Sequence, residues 1–200
     1  MINENFIYLG AALNLIGSTN YVIETIKGKT KPNRVTWFLW ALAPIIAFGA
    51  MLGEGVSILG GLMTFMVGFG PLLVLIASFV NKKSVWKITT FDIVCGILSL
   101  IGVGLWFITR TGAVAIAFSI LADALAGLPT LVKAFKEPES ESYLVFLFGA
   151  ISAAITLLAA KVWDFAHIGF ALYIFIICAI IFILVKFKLG TLIQKARRSK

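Results

Sequence analysis

The chain has 200 residues, of which 60% are hydrophobic and only 13% charged, with a mean hydropathy of +1.03. That composition lies outside the ordinary soluble range and excludes a water-soluble globular domain as the main body of the protein. The formal net charge of +8 is gathered in the segments between apolar runs, which argues for membrane topology rather than nucleic-acid binding.

A helix needs about 20 mostly apolar residues to cross the hydrocarbon core. Seven such runs follow one another, at 6–26, 35–53, 56–80, 88–108, 112–134, 142–160 and 165–187. They are continuous rather than alternating, so they predict spanning helices and not the strands of a barrel. The start, "MINENF", lacks the basic flank of a signal peptide, and the first run is therefore expected to be a retained span.

In chain order, the first run carries Asn14 and Asn20 and ends on Glu24, which is expected to pair with Lys27. The second begins with Trp37 and Trp40 and contains Pro44; the third holds "GG", "GFG" and Pro71. Such glycines permit close helix packing, while a proline inside a helix removes one backbone hydrogen bond. Asp92 opens the fourth run, near enough to its end to snorkel or to cap the helix. The fifth carries Asp123 in the middle of "SILADALAGLPT", followed by Pro129. Tyr143 and Phe146 open the sixth, and His167 stands beside Asp164 at the start of the seventh. Cys95 and Cys178 lack metal-ligand spacing and read as small packing residues. Trp86, Trp106 and Trp163 fall near span ends, where indoles favour the interface.

With the N-terminus outside, every Lys and Arg of the 17 except Arg110 and Lys161 falls on the inner side. The positive-inside rule then gives seven spans, N-out and C-in. The basic tail "KFKLGTLIQKARRSK" has two readings, a topogenic solvated segment or one attracted to anionic headgroups.

The two ends of the chain also resemble each other. "NLIGSTNYVIETIK" (14–27) aligns without gaps on "DALAGLPTLVKAFK" (123–136), pairing Asn14 with Asp123 and Lys27 with Lys136. "PNRVTWFLWALAPIIA" (32–47) aligns on "PESESYLVFLFGAISA" (138–153), pairing Trp37 with Tyr143 and Trp40 with Phe146. Because a three-span unit must be re-inverted before it can repeat in parallel, the fourth span is read as a linker. The resulting organisation is a first repeat over 1–83, a linker over 84–110, a second repeat over 111–188 and a basic cytoplasmic tail over 189–200. The fold class is an all-α membrane protein, 3+1+3.

This layout, with N-out topology and a proline in the first helix of a repeat, resembles the SWEET and PQ-loop transporter superfamily. Members named for the motif carry Pro-Gln in spans 1 and 5, where this sequence reads Asn20-Tyr21 and Pro129-Thr130. The resemblance implies aromatic residues flanking a pocket from spans 2 and 6, places that Trp37 or Trp40 and Tyr143 or Phe146 fill. The family's pocket asparagines on spans 3 and 7 have no counterpart here. The expectation is accordingly transport of a small polar solute, sugar-like or amino-acid-like, by alternating access.

A charge at the bilayer centre costs about 2.5–3.5 kcal/mol on insertion scales, so such residues face a bundle interior or a cavity. Asp123 and Asn14 each precede a loop lysine by 13 positions, about 20 Å along a helix, which sets them at one depth. The expected site is a central pocket lined by Asn14, Asn20, Asp123, Trp37, Trp40, Tyr143 and Phe146. Asp123 is the candidate for proton coupling, and Pro129 and Pro44 are the candidate hinges. The other reading of Asp123 is an interhelical hydrogen bond that fixes packing.

No catalytic residues, metal or cofactor are expected: the single His167 lies near one surface, and span 7 has no mid-membrane lysine for a Schiff base. The alternative function is a non-transporting receptor or scaffold, since the KDEL receptors resemble the same superfamily and fold does not decide function. Expected partners are the lipid bilayer, a small polar solute, a proton and possible further copies of the chain. Compact loops fit a bacterial inner membrane.

Overall fold

The structure, a computed structural model, describes residues 2–81, 86–109 and 112–198, without the side chains of 102, 103, 105–107, 109, 112, 115, 194 and 196–198. Lys82, Lys83, Arg110 and Lys200, and the side chains of Trp106, Arg197 and Arg198, lie outside the described residues. The helices are α1 (Phe6–Ile26), α2 (Arg34–Gly53), α3 (Ile58–Val80), α4 (Thr90–Thr109), α5 (Gly112–Lys136), α6 (Tyr143–Ala159), α7 (Phe165–Lys186) and α8 (Leu189–Arg198). There is no strand among the described residues.

Helices α1, α2, α3, α5 and α7 are long and apolar enough to cross a membrane, and the apolar stretches Thr90–Ile101 of α4 and Tyr143–Ala159 of α6 are shorter. Large apolar side chains such as Ile16, Ile76, Phe79, Ile97, Leu121, Ile176 and Ile180 point outward, exposed. Buried positions meanwhile include Asn14, Ser18, Thr36, Thr64, Asp123 and Lys133. A body that turns apolar groups out and polar groups in is made for hydrocarbon, where backbone polarity must be satisfied inside each helix.

The helix ends follow local chemistry. Asn33 caps α2, its Oδ1 accepting from the N–H of Val35 and Thr36, and Ser57 caps α3 by accepting from Gly60 N–H. Helices α1 and α2 both end in the same six-residue closure. At α1, Gly28 (φ 78°) donates to Thr25 O and Lys29 to Glu24 O; at α2, Gly55 (φ 84°) donates to Leu52 O and Val56 to Met51 O. Both closures need a left-handed residue, which glycine supplies without a Cβ clash. Thr89 and Asp92 form a capping box on α4: Thr89 N–H and Oγ1 donate to Asp92 Oδ2, and Asp92 N–H to Thr89 Oγ1. Asp92 is thus a cap, and also a bolt, since its Oδ1 accepts from Asn33 Nδ2 at 2.6 Å and ties the starts of α2 and α4 together.

The order in space differs from the order in sequence. Helix α3 packs on both α1 and α2, and α7 on both α5 and α6. The two triplets meet along α1–α6 and α2–α5 seams, and α4 lies outside against α5 and α2. Small residues make the seams close: a Cβ on Gly17 of α1 would lie 3.0 Å from the Val145 backbone of α6.

Two features depart from the sequence reading. The tail, read as topogenic and solvated or as drawn to headgroups, forms a helix: it turns at Lys188 (φ 49°) into α8, whose Gly190 packs against the Phe135 carbonyl with no room for a Cβ. The Glu24–Lys27 ion pair does not form, because Lys27 is taken into the turn that closes α1.

Candidate functional site

Where the two triplets meet, a cavity of about 60 Å³ opens between α1, α2, α3, α5, α6 and α7. Five of the residues expected there line it: Asn14, Trp37, Trp40, Asp123 and Phe146. Asn14 and Asp123, matched in the sequence alignment, do face one space. The aromatic wall is built from edge contacts, Trp37 to Trp40 at 5.5 Å and Trp40 to Phe146 at 6.3 Å between ring centroids. Trp40 is fixed from α5, donating from Nε1 to the Asp123 backbone carbonyl at 3.1 Å, and its ring lies over Gly127.

Asp123 is 2% exposed. Its Oδ2 accepts a 2.7 Å hydrogen bond from Tyr173 Oη of α7, while Oδ1 has no partner among the described residues. The nearby polar side chains are Asn14, Ser18 and Trp37, and among the described residues no Lys, Arg or His lines the cavity. A buried carboxylate oxygen without a donor is costly, and Trp37 Nε1 in the same lining also has no partner among the described residues. Cys178 also lines the cavity, a free thiol, and Pro71 closes its α3 side.

Asn20 and Tyr143 lie elsewhere. Asn20 Nδ2 donates to Ser142 Oγ at 3.2 Å. Tyr143 packs on Phe182 at 6.3 Å and takes Lys186 Nζ over its ring at 4.1 Å. The reason for Asn20 is helical geometry: six residues after Asn14 is about 240° of rotation and 9 Å of rise, which turns it away from the cavity. Pro44 and Pro129 are buried inside continuous helices.

Ser18 and Tyr173 were not anticipated. Ser18 is legible after the fact, standing four residues from Asn14 on the same face. Tyr173 gives no signal beyond a hydroxyl in an apolar run. The larger omission is a polar layer nearer the α1–α2 loop. Lys133 and Glu141 form a fully buried ion pair at 2.6 Å. Tyr21 Oη donates to Glu141 Oε2 at 2.7 Å, and Lys133 Nζ donates to the Lys31 carbonyl at 2.5 Å and lies 5.2 Å from the centre of the Trp86 ring. This layer and the tilted Tyr21–Trp37 pair (4.6 Å between centroids) border the cavity on that side.

On another side an apolar cluster that includes Met51, Met63, Ile116, Phe170 and Ile174 adjoins the cavity through Ile174. Beyond it lies a separate mouth of about 380 Å³ edged by Glu4, Lys161 and His167. There Lys161 pairs with Glu4 at 2.7 Å, and the His167 hydrogen bond holds the Asp164 carboxyl below its usual range. Among the described residues no group of three His, Cys, Asp or Glu converges as a metal site would. Compared with protein-family models, curated proteins and solved structures, the chain matches none.

Proposed function

We propose that this protein is a seven-span membrane transporter that moves a small polar solute by alternating access, with the central cavity as its binding site. The observation that carries the proposal is the Asp123 carboxylate, buried at the seam of two helix triplets with one oxygen unpartnered in a cavity. Ionisable groups inside membranes mark solute and ion pathways when they face such cavities.

The packing supports a two-repeat reading. Exchanging α1, α2, α3 for α5, α6, α7 turns the α1–α3 contact into α5–α7, α2–α3 into α6–α7 and α1–α6 into α5–α2, and each of these contacts exists. Helix α4 then serves as the inverting linker, and orientation by basic loops puts the N-terminus outside a bacterial inner membrane. The arrangement fits the resemblance to the SWEET and PQ-loop superfamily. Pro129 and Pro44 are the hinges of the alternating-access movement in this reading. A proton carried on Asp123 couples the cycle.

The test is solute flux into liposomes containing the purified full-length chain. Flux that Asp123→Asn abolishes is the expected result, and flux indifferent to a pH gradient removes the proton from the mechanism. The small size of the cavity favours a second reading, a receptor of the same architecture, for which saturable binding without flux is the signature.

A further inference from the structure

Resting on the reading of the central cavity as a binding site, we infer that its ligand is a small organic cation, an amine or guanidinium group of a few heavy atoms. Asp123 is a carboxylate with one oxygen bonded to Tyr173 and the other without a partner, and no basic side chain lines the space around it, among the described residues. Elsewhere in the same bundle the buried carboxylate Glu141 has Lys133 at 2.6 Å. Asp92, the third buried carboxylate, has both oxygens met by neutral donors from Thr89 and Asn33; Asp123 alone of the three has neither a cation nor a donor to its second oxygen among the described residues.

The aromatic part of the lining fits the same class of ligand. Trp37, Trp40 and Phe146 line the cavity together, and an aromatic enclosure attracts cations by its ring faces, tryptophan most strongly. Asn14 and Ser18 give the cavity a polar edge that suits the N–H groups of an amine. A volume of about 60 Å³ corresponds to on the order of four waters, which admits ethylammonium or guanidinium and leaves no room for a hexose. The lining is predominantly apolar, so a neutral polyol would leave hydroxyls unpaired.

The experiment uses the full chain in nanodiscs and reads intrinsic indole fluorescence, since two of its five tryptophans face the cavity. The probes are ethylammonium and guanidinium chloride, each against a neutral partner of matched shape, ethanol and urea, with sodium chloride holding ionic strength constant. Saturable change with the cations alone is expected, weakened at least tenfold in Asp123→Asn and severalfold in Phe146→Leu. Phe146→Leu keeps the carboxylate and serves if Asp123→Asn does not fold. Equal response to the neutral partners, or cation binding that both variants leave intact, overturns the inference. Cation binding without flux in liposomes leaves it standing and defeats transport; flux of a neutral solute with no cation binding does the reverse.

Discussion

Three carboxylates are buried among the described residues, Asp92, Asp123 and Glu141, and the last two are treated differently. Glu141 is paired: Lys133 neutralises it, Tyr21 donates to it, and Lys133 is itself held by the Lys31 carbonyl. Asp123 receives one hydrogen bond, from Tyr173, and turns its other oxygen to a cavity. Removing two charges from water is repaid only when the geometry is good and the remaining donors and acceptors are met. By that standard the layer around Glu141 is a piece of structure that pins α1, α5 and the α5–α6 connection together. The Asp123 region keeps a polar demand open, which is what a site for a ligand requires.

The sharpest way to break this contrast is to remove the cation from the Lys133–Glu141 pair. Lys133→Met leaves Glu141 buried and unpaired and is expected to cost about 3–5 kcal/mol, read from denaturant unfolding in detergent. Adding Glu141→Gln should return much of that loss, because the charge left without a partner is then gone. Tyr21→Phe deletes one hydrogen bond to a charged acceptor and should cost about 1.5–3 kcal/mol by the same measurement. Asn33→Ala strips the cap of α2 and one bond from Asp92, an expected loss of about 1 kcal/mol for the cap alone. The smallest change in stability is expected for Asp123→Asn, within about 1 kcal/mol, since Tyr173 can donate to an amide oxygen and a costly charge is removed. In the same variant flux or ligand binding should fall away. An unfolding loss at Asp123→Asn as large as at Lys133→Met would make both carboxylates structural and erase the contrast.

The helices were legible in the sequence because hydropathy in a membrane chain is nearly one-dimensional. The first run, 6–26, is the helix Phe6–Ile26, and the others differ by one or two residues at their ends. The match of Asn14 with Asp123 was also readable, as two polar breaks at equal distance from a lysine. What misled was treating a polar residue's position in the sequence as its depth and its side together. Lys133 looked like a topogenic charge at the inner surface; it is buried, because Glu141 from the following connection reaches it. Tyr143 was grouped with Phe146, but three residues and a different neighbour, Phe182, separate their surroundings.

By itself the sequence determined that the chain is helical, apolar and built of membrane-length segments, because each of those properties depends only on local composition and on the length of a run. It also determined where helices stop, through Gly28, Gly55 and the caps Asn33, Ser57 and Asp164. Which helices touch was decided only in three dimensions: α3 lies between α1 and α2, and the first triplet meets the second along α1–α6 and α2–α5. That choice leaves Asp123 at a cavity lined by no lysine among the described residues. Lys133 and Glu141, 8 residues apart, meet through the connection that follows α5, whereas the Tyr21–Glu141 hydrogen bond joins residues 120 apart and follows from the packing of whole helices, which no local pattern encodes.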